Sequence, residues 1–416
     1  MDVHYGLSGD RRVTVQRADH SRIVAEHGGR GGYVQRAYMF RGHEFAHRTY
    51  FANGRAYDHF YRPYRYRGIN MEVYAPVSYY PVGFYGWVYN PWIQPAPYAW
   101  GWTGTPWYGY YSRYFTPAPV YPSASLWLTD YMISNALADA YQARIDSGQT
   151  PQPVIGQAAV SSDVKALISG EVQRQIALEN SESIATARNQ DPDPQSSGIA
   201  RQLSDGVPHV YLVGQSLDLV DVTGKECMVS SGDVLQLKAA APNANNANLM
   251  VIASKGGQEC SRSTTVSVML SDLQDMQNYM RETIDQGLGK LQNDQGKGGL
   301  PHEPATAAGA AMKASFAVSA PPPEPNCANE IAAEAQESDK VEFELGQRQN
   351  AQGTSEQTSA SGGSASNVIA VGMTLAQITA ILGQPKATFN KGANQKVFIY
   401  ANVKITFTAG KVTDLQ

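Results

Sequence analysis

Between Val73 and Ser112 the chain runs for 40 residues without a charged side chain. As a helix, a run of that length could cross a bilayer. Pro76, Pro81, Pro91, Pro95, Pro97 and Pro106 interrupt it. Each proline removes a backbone donor and clashes with the preceding turn, so no transmembrane helix is expected. The stretch is made instead of rings: residues 57–121 hold 15 of the chain's 24 Tyr and five of its six Trp. Pro or Gly every few positions predicts extended and turn conformations. Tyr and Trp present a flat apolar body with one polar tip. The tract therefore has three physical readings: a strap packed as core around a small β-unit, a binding surface for sugars or cell-wall polymer, or a disordered adhesive segment. As a binding surface it would use Tyr85, Trp87, Trp92, Trp100, Trp102, Trp107 and Tyr108.

Upstream the chemistry is different. Residues 1–67 carry 12 Arg, no Lys, six acids and six of the eight His, an imbalance that the whole-chain net charge of -4 conceals. Short alternating runs (RRVTVQR, SRIVAEH, GGYVQRAYMF, FAHRTYF, RAYDHFYR) are separated by Gly and Asn. That pattern predicts a meander of β-hairpins, with Asn53-Gly54 as the strongest turn signal. Arg on one face and Val, Tyr or Phe on the other would give a half-solvated sheet with a basic surface. Such a surface suits nucleic acid, acidic glycans or lipid phosphates, but the interspersed acids disfavour nucleic acid.

At roughly 150 residues per domain, 416 residues suggest about three folded units. With 38 Gly, 23 Pro and only 17% charged residues, a multi-part α+β chain fits better than one enzyme core. The expected divisions are a β-hairpin meander with aromatic strap (1–122), helices (123–190), a linker (191–206) and a small β-barrel or sandwich with a C-terminal helix (207–292). A mostly disordered linker (293–367) with a short helix near 328–345 follows, and then a small α-β-meander domain (368–416).

Within these divisions the helices have distinct stripes. LWLTDYMISNALADAYQARI places Leu126, Met132 or Ile133, Leu137 and Tyr141 near one face. Ser162 can cap the next helix, whose narrow stripe of Val164, Leu167, Ile168, Val172 and Ile176 needs a partner such as another chain. Ser271 to Gln274 is a capping-box pattern opening a third, with Leu273, Met276, Met280, Ile284, Leu288 and Leu291 in line. In the last fifty residues Thr374 and Gln377 make a further capping box, with Met373 and Ile378 as hydrophobic staple.

Three local patterns touch on chemistry. His43-Glu44-Phe45-Ala46-His47 matches H-E-x-x-H, in which two His one helical turn apart hold Zn²⁺ and the Glu activates water. Here Gly42 precedes and Thr49, Tyr50 and Phe51 follow, favouring a strand that would set His43 and His47 about 13 Å apart, too far to share a metal. A zinc hydrolase is thus the weakest alternative, and neither metal nor other cofactor is expected. Asp19-His20-Ser21 names the three triad residue types, but neighbours in sequence cannot form the relay, so it reads as a turn. The glycines of Gly28 to Gly32 lack the Lys-Ser/Thr of a phosphate loop and read as a tight hairpin.

Cysteine usage bears on compartment. Cys227 and Cys260 fall in one β-rich unit, as a disulfide or as two buried thiols, and Cys327 lies in a Pro-rich stretch. Met1 to Asp10 shows no signal peptide, which taken literally means cytoplasm. A disulfide would favour export, with a leader upstream of Met1 reconciling the two.

Gly372-Met373-Thr374, Ile378, Leu382-Gly383-x-Pro385, Tyr400, Lys404-Ile405-Thr406-Phe407 and Gly410-Lys411-Val412 resemble the SmpA/OmlA family of small outer-membrane lipoprotein domains over about 50 residues. The resemblance implies a protein–protein interaction module of the cell envelope without catalysis. This chain departs from that family in lacking a lipidated cysteine at its start and in placing the domain behind a long tether. Tyr85 to Tyr141 resembles a group of multi-part proteins from soil bacteria of the Acidobacteria type, which brings no activity with it. The combined expectation is a non-enzymatic, exported scaffold or interaction protein of the periplasm, outer-membrane periphery or exterior. Its partners would be envelope proteins met through the C-terminal domain, with self-association through helices. The alternative is a glycan or peptidoglycan binder using the Tyr/Trp tract.

Overall fold

Period-two alternation folds the N-terminal part as an antiparallel meander whose strands follow chain order: β1 (Asp2–Tyr5), β2 (Arg11–Gln16), β3 (Arg22–Glu26), β4 (Gly32–Phe40), β5 (His43–Ala52), β6 (Arg55–Tyr66) and β7 (Ile69–Ala75). The structure is a computed structural model that describes residues 1–7, 11–26, 31–52, 54–146, 159–239, 245–256, 259–352, 372–383, 385, 387–391, 395–400 and 403–415. Arg41-Gly42 joins β4 to β5 and Arg67-Gly68 joins β6 to β7, with φ of 49° and 83°, then 49° and 81°. Two successive positive φ values make the turn whose twist matches that of the strands. Asn53 of the expected Asn-Gly turn lies outside the described residues, as do Gly28, Gly29 and Arg30. The fold is α+β, and contacts divide it into two units: Met1–Arg36 with Thr49–Tyr57 and Pro323–Gln416, and Ala37–Arg48 with Asp58–Pro322.

In chain order the second unit continues with β8 (Ser78–Tyr79), α1 (Val82–Tyr89), β9 (Pro91–Pro97), α2 (Pro106–Tyr111), β10 (Val120–Ser123), α3 (Ala124–Asp146) and α4 (Ser162–Ala187). Two single helical turns follow, α5 (Pro194–Ser197) and α6 (Ile199–Gln202). Next come β11 (Val210–Leu212), β12 (Leu217–Asp221), β13 (Glu226–Val229), β14 (Val234–Ala239), β15 (Asn246–Ala253), β16 (Thr265–Met269) and α7 (Leu270–Asn293). The small β-unit is one antiparallel sheet of order β11-β14-β15-β16-β12-β13. One core extends from Tyr64 to Leu300 and draws together the aromatic tract, the helices and this sheet, which the sequence had suggested were separate parts.

Proline shapes the tract differently from expectation. α1 follows Pro81, and α2 has Pro106 in its first turn. A proline there has no hydrogen bond to lose and its φ is already helical, so it starts short helices rather than forbidding them. Ser161, not Ser162, caps α4 by accepting from the Val164 N–H. The stripe of α4 finds its partners within the unit, on α1 and α3, while Leu167 stays exposed. The capping box proposed for Ser271 to Gln274 does not form. α7 begins at Leu270, and Gln274 is buried, its Oε1 accepting from the Tyr64 hydroxyl at 2.6 Å and the Ile199 N–H at 3.0 Å.

The stretch from Asp294 to Pro322, expected to be linker, is packed: Leu300, Ala307, Ala314 and Phe316 are buried. It contains β17 (Met312–Lys313), paired with β8, and α8 (Ser315–Val318). Phe316 stacks on Phe45 at 4.5 Å. Gly83 of α1 is required by this packing, since a Cβ there would lie 2.7 Å from the Thr306 carbonyl oxygen. Gly, Pro and Ala composition marks irregular backbone, which is a different property from absence of packing.

The first unit closes with α9 (Cys327–Gln352), α10 (Leu375–Leu382), β18 (Ala387–Lys391), β19 (Gln395–Ile399), β20 (Lys404–Thr408) and β21 (Lys411–Leu415). α9 is longer than the helix expected over 328–345, and the rest of the expected tether, from 353 to 367, lies outside the described residues. β18 runs parallel to β1, with Asp2 opposite Thr388, so β18–β21 extend the sheet from its β1 edge. Ile378 is buried among Phe398, Tyr400, Ile405, Phe407 and Val412 beside Met373, as the staple predicts. The Thr374 N–H donates to Gln377 Oε1 at 2.9 Å. α9, with Glu324 just before it, sets acids against the meander's arginines. Arg11 meets Asp339 at 2.8 Å and Glu342 at 3.0 Å, Arg17 meets Glu330 and Glu334, and Arg36 meets Glu324 and Glu330. Much of the basic surface expected of the meander is therefore matched within the unit.

Candidate functional site

The seven tract residues named as a binding surface divide by burial. Tyr85, Trp92 and Trp100 are buried, whereas Trp87, Trp102, Trp107 and Tyr108 are half-buried. The rings form a stack that leads outward from the core. Tyr131 lies on Trp127 at 5.7 Å, Trp127 on Trp100 at 5.1 Å, and Trp100 on Trp102 at 5.3 Å. At the outer end Trp107 and Tyr108 tilt against Trp102 by 45° and 56°, at 4.9 and 5.2 Å. Both come from α2, placed by the Pro106 start and by the Thr105 hydroxyl donating to the Trp102 carbonyl at 2.7 Å. Inward, the Trp100 indole N–H donates to the Tyr121 hydroxyl (2.7 Å), which donates to Asp130 (2.7 Å). Asp130 also pairs with Lys165 at 2.7 Å.

A second concentration of chemistry surrounds α7 and is buried. The Tyr85 hydroxyl donates to Glu179 at 2.7 Å, Tyr61 to Glu282 at 2.6 Å and Tyr74 to Asp285 at 2.8 Å, while Arg281 pairs with Glu182 at 2.7 Å. Burial, reinforced by the nearby Asp285 carboxylate, holds the Glu179 carboxyl well above the usual range. Burial likewise pushes Asp285 up to about 6, against the Tyr74 hydrogen bond. Burial would lower the Arg281 guanidinium, but Glu182 and Glu179 outweigh it and keep it charged. These groups escaped sequence reasoning. The one available signal was the second stripe of α7, formed by Gln274, Asn278, Arg281, Glu282 and Asp285, and such a stripe reads as a solvated face until its partners are known.

Cys227 and Cys260 are bonded, with Cα atoms 5.0 Å apart, joining β13 to the segment before β16. Beside the bond Lys255 pairs with Asp233 at 2.6 Å and Glu259 at 3.3 Å. Burial raises Asp233 to about 7 despite Lys255. At the other end of the sheet His209 lies between Glu171 at 2.9 Å and Asp205 at 3.0 Å. Burial opposes its charge, and the two carboxylates outweigh burial and raise it.

The zinc-like pentapeptide lies on β5. His43 is exposed and meets Asp191 at 3.3 Å. His47, with 3% of its side chain exposed, meets Asp58 at 2.9 Å and stacks on Phe60 at 4.6 Å. The two imidazoles thus serve separate contacts. Asp19-His20-Ser21 is a turn: the Ser21 N–H and hydroxyl both donate to Asp19, at 3.0 and 2.6 Å, and His20 has φ of 64°. Among the described residues no His/Cys/Asp/Glu group has metal-ligand geometry, and no helix is long and apolar enough to cross a membrane. No known protein family, curated protein or solved structure matches the chain.

Proposed function

We propose that the protein is a non-enzymatic, exported scaffold of the cell envelope that presents its C-terminal α-β module, residues 368–416, to another envelope protein. The observation that carries this reading is the Cys227–Cys260 bond within the shared core, since disulfides persist in oxidising compartments. Two features support it. The buried acids, bases and tyrosines around α7 hold one another and serve to unite the tract, α4 and α7. In the module, Leu375 and Leu382 lie seven residues apart on one face of α10, and both are exposed. The SmpA/OmlA resemblance agrees with an interaction role for that face.

Fractionation of the source cells, with thiols alkylated before reduction, tests the reading. The full chain is expected in the envelope or exported fraction with Cys227 and Cys260 protected and Cys327 as thiol. In that fraction, photo-crosslinking from position 375 should trap one partner protein. A cytoplasmic chain with three free thiols overturns the proposal.

A further inference from the structure

We propose that the outer end of the aromatic stack, Trp102 with Trp107 and Tyr108, is a binding platform for a neutral glycan. This goes beyond the interaction role of the C-terminal module and rests on different residues. The three rings are half-buried, and Trp107 and Tyr108 are tilted by 45° and 56° to Trp102, so their faces are not parallel. A puckered sugar ring lays C–H groups on aromatic faces and can meet more than one tilted ring at once. The segment that supplies these rings, Val73 to Ser112, contributes no charged side chain of its own, which favours a neutral ligand.

Glycine placement is the independent observation. Gly101, Gly104 and Gly109 flank these rings in sequence, are exposed, and would accept a side chain with nothing within 4 Å. None has positive φ, so neither space nor backbone conformation calls for glycine, and Gly109 within α2 costs about 0.5–1 kcal/mol relative to alanine. Glycine that the fold does not need keeps backbone bare for close approach by a partner. The polar rim indicates which partner. The hydroxyls of Thr103 and Ser112 donate inward, to the Trp100 and Gly109 carbonyls, at 3.1 Å each, so they offer acceptors to solvent. Acceptors match the many O–H donors of a sugar and do not match a proline-rich peptide, whose backbone there offers carbonyls alone.

Titration of the full chain with cellohexaose, chitohexaose and maltohexaose, followed by Trp fluorescence and calorimetry, tests this. Saturable binding to at least one is expected. Trp107→Ala and Gly104→Leu should each weaken it by about tenfold or more. Gly104→Leu should melt at the wild-type temperature and Gly109→Leu at or above it, which separates loss of binding from loss of fold. The proposal is overturned by absence of saturable binding to all three sugars, or by unchanged affinity in Gly104→Leu and Trp107→Ala. Saturation by decaproline without any sugar binding overturns it as well, and assigns the surface to a peptide.

Discussion

The Tyr85 hydroxyl donates its proton to Glu179 at 2.7 Å, tying the first helix of the aromatic tract to the middle of α4. The same oxygen accepts from the Tyr80 N–H at 3.2 Å. Both residues are buried, so the pair acts as a core contact made with polar atoms.

Removing one partner of that pair should cost more than neutralising the other. Tyr85→Phe strands a buried carboxyl and a buried N–H and is expected to cost about 1–3 kcal/mol. Burial raises the Glu179 carboxyl and so disfavours its charged form, and the neutral isostere in Glu179→Gln should therefore cost less. Urea unfolding of the two variants at pH 7 gives the order. If Glu179→Gln is the worse of the two, the carboxyl is charged and paired with Arg281.

Stability should fall as pH rises from about 4 to about 8. Asp285 and Asp233 titrate near 6 and 7 when folded and near 3.8 when unfolded, so the folded state binds more protons in between. His209, faced by Glu171 and Asp205, titrates above 6.5 when folded. Its contribution is complete below that value and is lost as pH rises through the folded one. Glu171 has the opposite sign: its carboxyl is held below 4.5, so its contribution is lost on acidification. Thermal melts across this range should slope downward toward alkaline pH, and Asp285→Asn should flatten the slope near pH 5–6.

Reducing or removing the Cys227–Cys260 bond should lower stability by about 3–4 kcal/mol, the loop-closure value for a separation of 33 residues. Unfolding curves with and without reductant, and for Cys227→Ser with Cys260→Ser, measure it. Cys327→Ser is the control, because that thiol is not bonded to another cysteine.

The two histidines of the zinc-like pentapeptide should behave differently. His47→Ala removes a buried ring stacked on Phe60 and paired with Asp58, and should cost about 2 kcal/mol. His43→Ala, at an exposed site, should stay within about 0.5 kcal/mol. Equal effects, together with one bound zinc per chain, would mean that both rings serve a metal.

The C-terminal face should be separable from the C-terminal core. Leu382→Glu replaces an exposed side chain and should change stability by no more than about 0.5 kcal/mol while abolishing crosslinking to the partner. Ile378→Ala empties a buried position among Phe398 and Phe407 and should cost about 2–4 kcal/mol.

The signals legible in the sequence were the local ones. Alternation placed the strand through His43 and His47, and therefore their separation; periodicity placed α3, α4 and α7; Thr374, Gln377 and Ile378 placed α10. The Arg41-Gly42 and Arg67-Gly68 turns were not read, because arginine at the first turn position carries no local preference for positive φ.

The 40 uncharged positions excluded a membrane helix by their prolines alone, since proline acts on its own backbone. Whether their rings were core or surface was settled only by tertiary structure, and it came out as both: Trp92 and Trp100 inside, Trp102 and Trp107 at the rim. The same holds for β1 beside β18, for the acids of α9 on Arg11, Arg17 and Arg36, and for Gln274 and Arg281 inside rather than in water. The physical reason is common to all of them. A backbone preference is exerted over a few residues, whereas burial of a ring or a charge depends on partners hundreds of residues away, and one chain composition is compatible with either outcome until those partners are in place.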